Sequence, residues 1–206
     1  QDRRPGRLDR RDAPDLPQLD YDPGEPRRLL ASLGPADRNG DGTLEDRSGA
    51  LAEITVITQK GNTALERGAA FLRDELEKVG LTLNVAALDV GAAIDRIERG
   101  DYEAVYFRFL TTDLDPALNL DLWLSSGGAH VWNPAQAKPA TPWERRLDEL
   151  MTRQAATSDH AARKAMFDEA QRVFAEELPI LRFAAPRIYV ALSRRVENAT
   201  PALLRP

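Results

Sequence analysis

An α/β layer architecture is predicted for this 206-residue chain by three observations. Short runs rich in β-branched or alternating apolar residues recur at Leu51–Gln59, Leu81–Leu88 and Tyr102–Leu110. Segments with apolar residues every three or four positions lie between them, and glycine punctuates nearly every junction. Strands alternating with helices describe a sheet flanked by helices.

Gln1–Gly24 comes first, with Arg3, Arg4, Arg7, Arg10 and Arg11 set among Asp2, Asp9, Asp12, Asp15 and prolines. It has no apolar period and reads as a linker or surface arm, since the aspartates neutralise what would otherwise be a basic arm. A short helix then carries Leu29, Leu30 and Leu33 and stops at Gly34-Pro35. The polar loop Asp37–Gly49 follows, then the first strand, with Ile54, Thr55, Val56, Ile57 and Thr58.

The second helix has Thr63 and Glu66 at capping-box spacing, an apolar face of Leu65, Ala69, Leu72, Leu76 and Val79, and Gly80 as its end. After the second strand, Asp89 is placed to cap a short helix bearing Ala93, Ile94 and Ile97. The third strand is apolar enough to be central. Beyond it come an apolar helical stretch (Leu118, Leu122, Trp123), a Gly127-Gly128 break and a proline-rich passage over Asn133–Thr141.

Thr141-Pro142-Trp143-Glu144 combines a capping box with proline at the first helical position, opening a helix with Leu147, Leu150 and Met151. Ser158 or Asp159 caps a long amphipathic helix that must end before Pro179, and Leu178–Ala184 and Arg187–Leu192 read as extended.

Composition narrows the function classes. One domain is the starting expectation at this length. Twenty-eight Lys and Arg against 33 Asp and Glu leave a net charge of -5, which offers no positive field to nucleic acid. No cysteine is present, so thiolate metal sites and thiol nucleophiles are excluded. No apolar run approaches the roughly 20 residues of a membrane-spanning helix, so a soluble chain without a signal peptide is expected. The sequence has no Gly-x-Ser-x-Gly elbow, no phosphate-binding glycine loop, and no second histidine or acidic residue at metal-motif spacing from His130 or His160.

Asp37, Asn39, Asp41, Gly42 and Leu44 match the opening of a calcium loop, but Ser48 stands where the bidentate glutamate belongs, which favours a tight turn. Among the tryptophans, Trp132 is placed to offer a stacking face, flanked by the Gly-Gly break and Asn133-Pro134. Trp123 reads more as core, and Trp143 as packing at a helix start. His130 is at most a single ligand contact.

The order and spacing of several stretches resemble the C-terminal lobe of the family-5 solute-binding proteins of ABC importers, whose members bind dipeptides, oligopeptides or nickel. These stretches are Tyr21-Asp22-Pro23 leading into Arg27-Arg28-Leu29-Leu30-Ala31, the Asn39–Gly42 turn, Phe71–Leu81, Gly100–Ala104, Asp113–Pro116, and Arg163–Gln171 running to Glu176–Pro179. The resemblance implies a type II periplasmic-binding-protein lobe, with a mixed sheet flanked by helices, as an isolated C-terminal domain. It divides the chain into an arm (1–24), the lobe (25–196) and a tail leading back to a missing first lobe (197–206). Its implied partners are a peptide or similar small solute, the membrane permease of an ABC importer, and the missing N-terminal lobe. Its implied location is periplasmic or extracellular, with lipid anchoring of the full-length protein as one form of it. It implies neither cofactor nor enzymatic activity.

In peptide-binding members an acidic residue three positions before an Asp-Pro or Glu-Pro step receives the ligand's amino group. Counting back from Asp115 lands on Thr112, with Asp113 one residue further on as a substitute. The resemblance and the loop positions together nominate Thr112, Asp113, Asp115, His130, Trp132 and Asn133 as ligand-binding residues. For Asp113 and Asp115, capping of the following helix is the competing role. Three further readings stay open: a solute-binding protein for a non-peptide ligand, a calcium-stabilised structural or adhesion module built around Asp37–Asp46, and a hydrolase whose residues follow no familiar pattern.

Overall fold

A computed structural model describes residues 24–108, 115–134 and 136–181, with residues 13, 15–17, 22, 193 and 195 besides. The chain separates into two compact units. One comprises Gln18–Phe109 with Asn133–Ala135, the other Gln1–Pro17, Leu110–Trp132 and Gln136–Pro206.

The first of these holds α1 (Gly24–Leu33), β1 (Glu53–Gln59), α2 (Thr63–Glu77), β2 (Thr82–Leu88), α3 (Val90–Glu98) and β3 (Ala104–Tyr106). The strands form a parallel sheet in the order β2-β1-β3, where the resemblance implied a mixed one. β1 pairs with β2 along its whole length, from Glu53 opposite Thr82 to Gln59 opposite Leu88, and with β3 from Val56 opposite Ala104 to Thr58 opposite Tyr106. The two crossovers run in opposite directions across the sheet. Right-handed connections therefore place α2 and α3 on opposite faces. Val56, Ile57 and Thr58 are all buried although successive side chains point to opposite faces, as expected of a strand covered on both sides.

Local chemistry explains the ends of these elements. Thr63 is the first residue of α2 and not its cap: Asn62 Oδ1 accepts the Leu65 amide at 3.3 Å, and Glu66 reaches back to the Gly61 amide at 2.9 Å. Both residues are good caps, and the one that leaves the extended backbone last takes the role. Asp89 occupies the cap position of α3 without a side-chain cap bond. Gly80 follows α2 at φ 86°, and a Cβ there would lie 2.9 Å from the Gly42 carbonyl oxygen, so glycine is needed both for the turn and for the approach of the acidic loop. Gly68 leaves the space beside α2 that the Tyr106 ring fills. The strand expected over Tyr102–Leu110 is regular only over Ala104–Tyr106, and Phe109 and Leu110 lie outside the described residues.

The other unit holds a 3-10 turn (Pro116–Asn119), α4 (Leu120–Trp123), α5 (Pro142–Ala155) and α6 (His160–Glu177). The capping box predicted at Thr141 and Glu144 forms in full, and Asp159 caps α6 by accepting the Ala162 amide at 2.7 Å. α5 packs on α6 over a core of Trp123, Leu147, Leu150, Met151, Ala170 and Phe174. Trp123 meets Phe174 and Phe167 edge-on, with centroids 5.2 and 5.5 Å apart. Trp143 packs partly buried against this core, as its place at a helix start predicts. Arg146 and Glu169 tie the two helices at 2.9 Å. α6 ends before Pro179, with Leu178 in the left-handed conformation at φ 51°. Leu178–Leu181 form no strand, and the remainder of the two extended segments expected at Leu178–Ala184 and Arg187–Leu192 lies outside the described residues.

Candidate functional site

In a parallel sheet ordered β2-β1-β3 the chain leaves β1 toward one neighbour and later returns on the other side. The switch point therefore lies between the carboxyl ends of β1 and β3, where open α/β sheets leave a crevice for ligands. Here those ends are Gln59-Lys60-Gly61 and Phe107-Arg108, with Lys60 and Arg108 exposed. Thr58 lies beneath them, fully buried, its hydroxyl donating to the Tyr106 carbonyl at 3.0 Å. Sequence reasoning points to the carboxyl end of the third strand, the loop after Leu110, but not to the end of β1 beside it, because strand order cannot be read from spacing.

Of the residues nominated from sequence, Thr112 and Asp113 lie outside the described residues. Asp115 caps the 3-10 turn, accepting the Ala117 amide at 3.0 Å, and its carboxylate receives Arg163 of α6 at 2.6 Å. The capping role is therefore present. Asn133 is half-buried in the unit that contains the sheet, next to Pro134, whose ring lies against Gly100.

His130 and Trp132 are brought together in the helical unit, with ring centroids 3.8 Å apart and an interplanar angle of 53°. His130 is 1% exposed, and Trp132 also meets Phe174 edge-on at 5.5 Å. Behind them stands Glu144, 2% exposed. Its Oε2 accepts the amides of Ala140 and Thr141, both at 2.9 Å, and the Thr141 hydroxyl at 3.1 Å. Its Oε1 accepts Gln136 Nε2 at 2.8 Å and lies 3.6 Å from His130 Nε2. Gln136 Nε2 is also 3.3 Å from His130 Nε2. His130 Nδ1 and Trp132 Nε1 are buried and have no hydrogen-bond partner among the described residues.

Sequence reasoning identified Glu144 as a capping residue only and passed over Gln136. A glutamine in a proline-rich loop just ahead of a capping box is the one available signal.

Burial pushes the Glu144 carboxyl upward, but the hydrogen bonds from Gln136, Thr141 and Ala140 outweigh it and hold it below the ordinary carboxylate value. A depressed folded-state value contributes stability that is complete above the unfolded value and is lost as pH falls through the folded one. Urea unfolding followed at pH 6, 4 and 3 is therefore expected to show stability falling with acid. Glu144→Gln, less stable at neutral pH, is expected to show a flatter decline over the same range.

In the acidic loop, Asp37 accepts the amides of Gly40 and Gly42 at 2.7 and 3.0 Å, and Asp41 accepts Asn39 Nδ2 and the Thr43 amide at 2.9 and 2.8 Å. These bonds make the tight turn predicted from sequence. Oxygens of Asp37, Asp41 and Glu45 lie within 4.8 Å of one another, whereas Asn39 is engaged with Asp41. Glu45 also accepts the Arg38 amide at 2.9 Å.

Residues 8–130 match the family model described as bacterial extracellular solute-binding proteins, family 5 Middle. The chain belongs to this family. Among curated relatives, it is 29% identical over 190 residues to a probable ABC transporter-binding protein of Deinococcus radiodurans, covering 86% of this chain and 32% of the relative. It is 25% identical over 192 residues to the oligopeptide-binding protein AppA of Bacillus subtilis, covering 89% of this chain and 33% of AppA. The chain thus spans about one third of the length of these relatives.

The fold matches that of the periplasmic binding protein MelB of Agrobacterium fabrum, solved with stachyose, at a TM-score of 0.71 and 22% identity, over 79% of this chain and 25% of MelB. AppA solved with a nonapeptide matches at a TM-score of 0.64, over 80% of this chain and 32% of AppA. Family membership thus agrees with the α/β lobe and binding-protein class expected from the sequence.

Proposed function

We propose that this chain is the C-terminal lobe of an extracytoplasmic receptor that captures a peptide or similar small solute and delivers it to the permease of an ABC importer. The observation that carries this reading is the match to the family-5 solute-binding model across residues 8–130. The β2-β1-β3 sheet supports it by opening its switch point at the carboxyl ends of β1 and β3. Binding works here by enclosure, and the second wall of the cleft comes from an N-terminal lobe outside this sequence. A single wall leaves most of a solute exposed, so this chain alone binds weakly. The receptor lies in the periplasm or outside the cell, on a lipid anchor in its full-length form.

Thr112, Asp113, Asp115, His130, Trp132 and Asn133 are the residues this reading nominates for solute contact. Asp113 supplies the negative charge that Thr112 lacks, Trp132 an apolar face and Asn133 an amide, while His130 lies against Trp132 and Asp115 caps its own turn. The relatives named above were solved with ligands as different as a nonapeptide and stachyose. The proposed solute class accordingly takes in a peptide and, as its alternative, a non-peptide small solute.

Native mass spectrometry of the complete protein purified from its own cells is expected to reveal a co-purified solute. With that solute, Asp113→Asn and Trp132→Phe in the complete protein are each expected to weaken affinity roughly tenfold, about 1.4 kcal/mol, by calorimetric titration. Unchanged affinity in both variants removes this placement of the cleft.

A further inference from the structure

The capping box of α5 uses only one of the two Glu144 oxygens. Oε2 receives the Ala140 and Thr141 donors at the helix start, leaving Oε1 to receive the Gln136 amide at 2.8 Å. A carboxylate that needed only to cap the helix would face solvent with its second oxygen. This one is 2% exposed and turned toward a loop residue instead.

The orientation of the Gln136 amide follows from two independent partners. Its Oε1 accepts the Ala140 backbone amide at 3.0 Å, and its nitrogen donates to Glu144. A flipped amide would set its NH2 against an N–H donor and its oxygen against a carboxylate, so the observed orientation is the one the surroundings allow. The nitrogen therefore faces His130, and its second hydrogen is available to His130 Nε2 at 3.3 Å. That makes Nε2 an acceptor. The proton of the neutral imidazole must then sit on Nδ1.

We propose that Gln136 and Glu144 are positioning residues that hold His130 as the Nδ1-protonated tautomer and so fix the imidazole against which the Trp132 indole lies. Trp132 sits two residues from His130 in a stretch with neither helix nor strand, and the His130 ring, at 3.8 Å, is its nearest aromatic neighbour. A relay from carboxylate to amide to imidazole sets the orientation of a ring through hydrogen bonds that its own backbone does not supply. Nδ1 then carries a buried proton with no acceptor among the described residues, a cost that the hydrogen bond from Gln136 to Nε2 offsets. The link from this relay to solute affinity rests on the reading that the Trp132 turn lines the cleft, but the tautomer itself does not.

The test is a long-range proton–nitrogen correlation spectrum of the complete protein labelled with nitrogen-15 histidine, recorded where His130 is neutral. Exposed His160 serves as an internal reference. His130 is expected to show a protonated Nδ1 and an unprotonated Nε2, in a ratio above about ten to one over the other tautomer. Gln136→Leu, which keeps the volume and removes the amide, is expected to reverse the preference, since Nε2–H then turns to Glu144 Oε1. Glu144→Gln is expected to lower the ratio.

A purely structural role would lower the melting temperature of both variants and leave the tautomer as it was. A wild-type His130 protonated on Nε2, or a tautomer unmoved by Gln136→Leu, overturns the proposal. If Gln136→Leu does not fold, the wild-type spectrum and that of Glu144→Gln decide by the same criterion. Solute affinity in the Gln136→Leu protein is expected to fall about tenfold. A reversed tautomer with unchanged affinity upholds the positioning role and removes the Trp132 turn from the cleft.

Discussion

Gly127→Ala is expected to destabilise the helical unit by at least about 3 kcal/mol, at the upper end of the range for overpacking. The reason is space, since Gly127 does not adopt a left-handed backbone. A Cβ at this position would stand 2.0 Å from the Asp121 carbonyl oxygen, 2.5 Å from its carbon and 2.7 Å from its Cα. All three atoms are backbone, so no rotamer change relieves the overlap. The Asp121 carbonyl also accepts the Ala129 amide at 3.1 Å, and Gly127 donates to the Leu124 carbonyl at 2.8 Å, so moving either strand of the turn breaks a hydrogen bond. The next residue provides the control. A Cβ on Gly128 would meet nothing within 4 Å, and Gly128→Ala is expected to stay within about 0.5 kcal/mol of wild type. Urea unfolding followed by tryptophan fluorescence reads the helical unit selectively, because Trp123, Trp132 and Trp143 all lie in it.

Leu147→Ala is expected to cost about 3 to 4 kcal/mol by the same measurement. Leu147 is 0% exposed on the buried face of α5, in a cluster with Trp123, Leu150, Met151, Ala170 and Phe174. Truncation removes the apolar transfer gain and leaves a void, and the aromatic rings of Trp123 and Phe174 are too rigid to fill it. A loss of this size is a large part of the stability of a small domain, which is typically about 5 to 15 kcal/mol. Leu181→Ala, at a residue 72% exposed, is expected to change little.

Features set by neighbours in sequence were legible from the amino acids. The capping box at Thr141 and Glu144, the Asp159 cap, the end of α6 before Pro179 and the β-branched β1 all follow from local chemistry, and all are present. The cap of α2 shows how local reasoning errs by one residue: the spacing of Thr63 and Glu66 satisfies the capping-box rule, while adjacent Asn62 accepts the helix amide. The long apolar run Tyr102–Leu110 pairs with β1 at only three residues among those described, because pairing depends on a partner that the run does not contain.

The candidate site was less legible for the same reason. Glu144 was identified for its role toward its own helix, yet half of its hydrogen-bonding capacity goes to Gln136, which an irregular loop returns to it. His130 offered no signal of burial in its sequence surroundings. Asp115 showed both of its possible roles in sequence, and the structure supplies the capping one together with a partner, Arg163, far along the chain.

The position of β1 between two parallel neighbours also bears on the order of folding. The hydrogen bond from Thr58 to Tyr106 joins residues 48 apart in sequence, whereas the bond from Arg146 to Glu169 across α5 and α6 spans 23. Neither pairing of β1 can begin as a hairpin, because parallel strands must wait for the crossover between them. Closing the longer segment costs more entropy, so the helical pair is expected to assemble first and the joining of β3 to set the slow step. Until β3 arrives, the Ile54–Thr58 backbone has an open edge and a β-prone, uncharged sequence, and it is in that interval that self-association competes with folding.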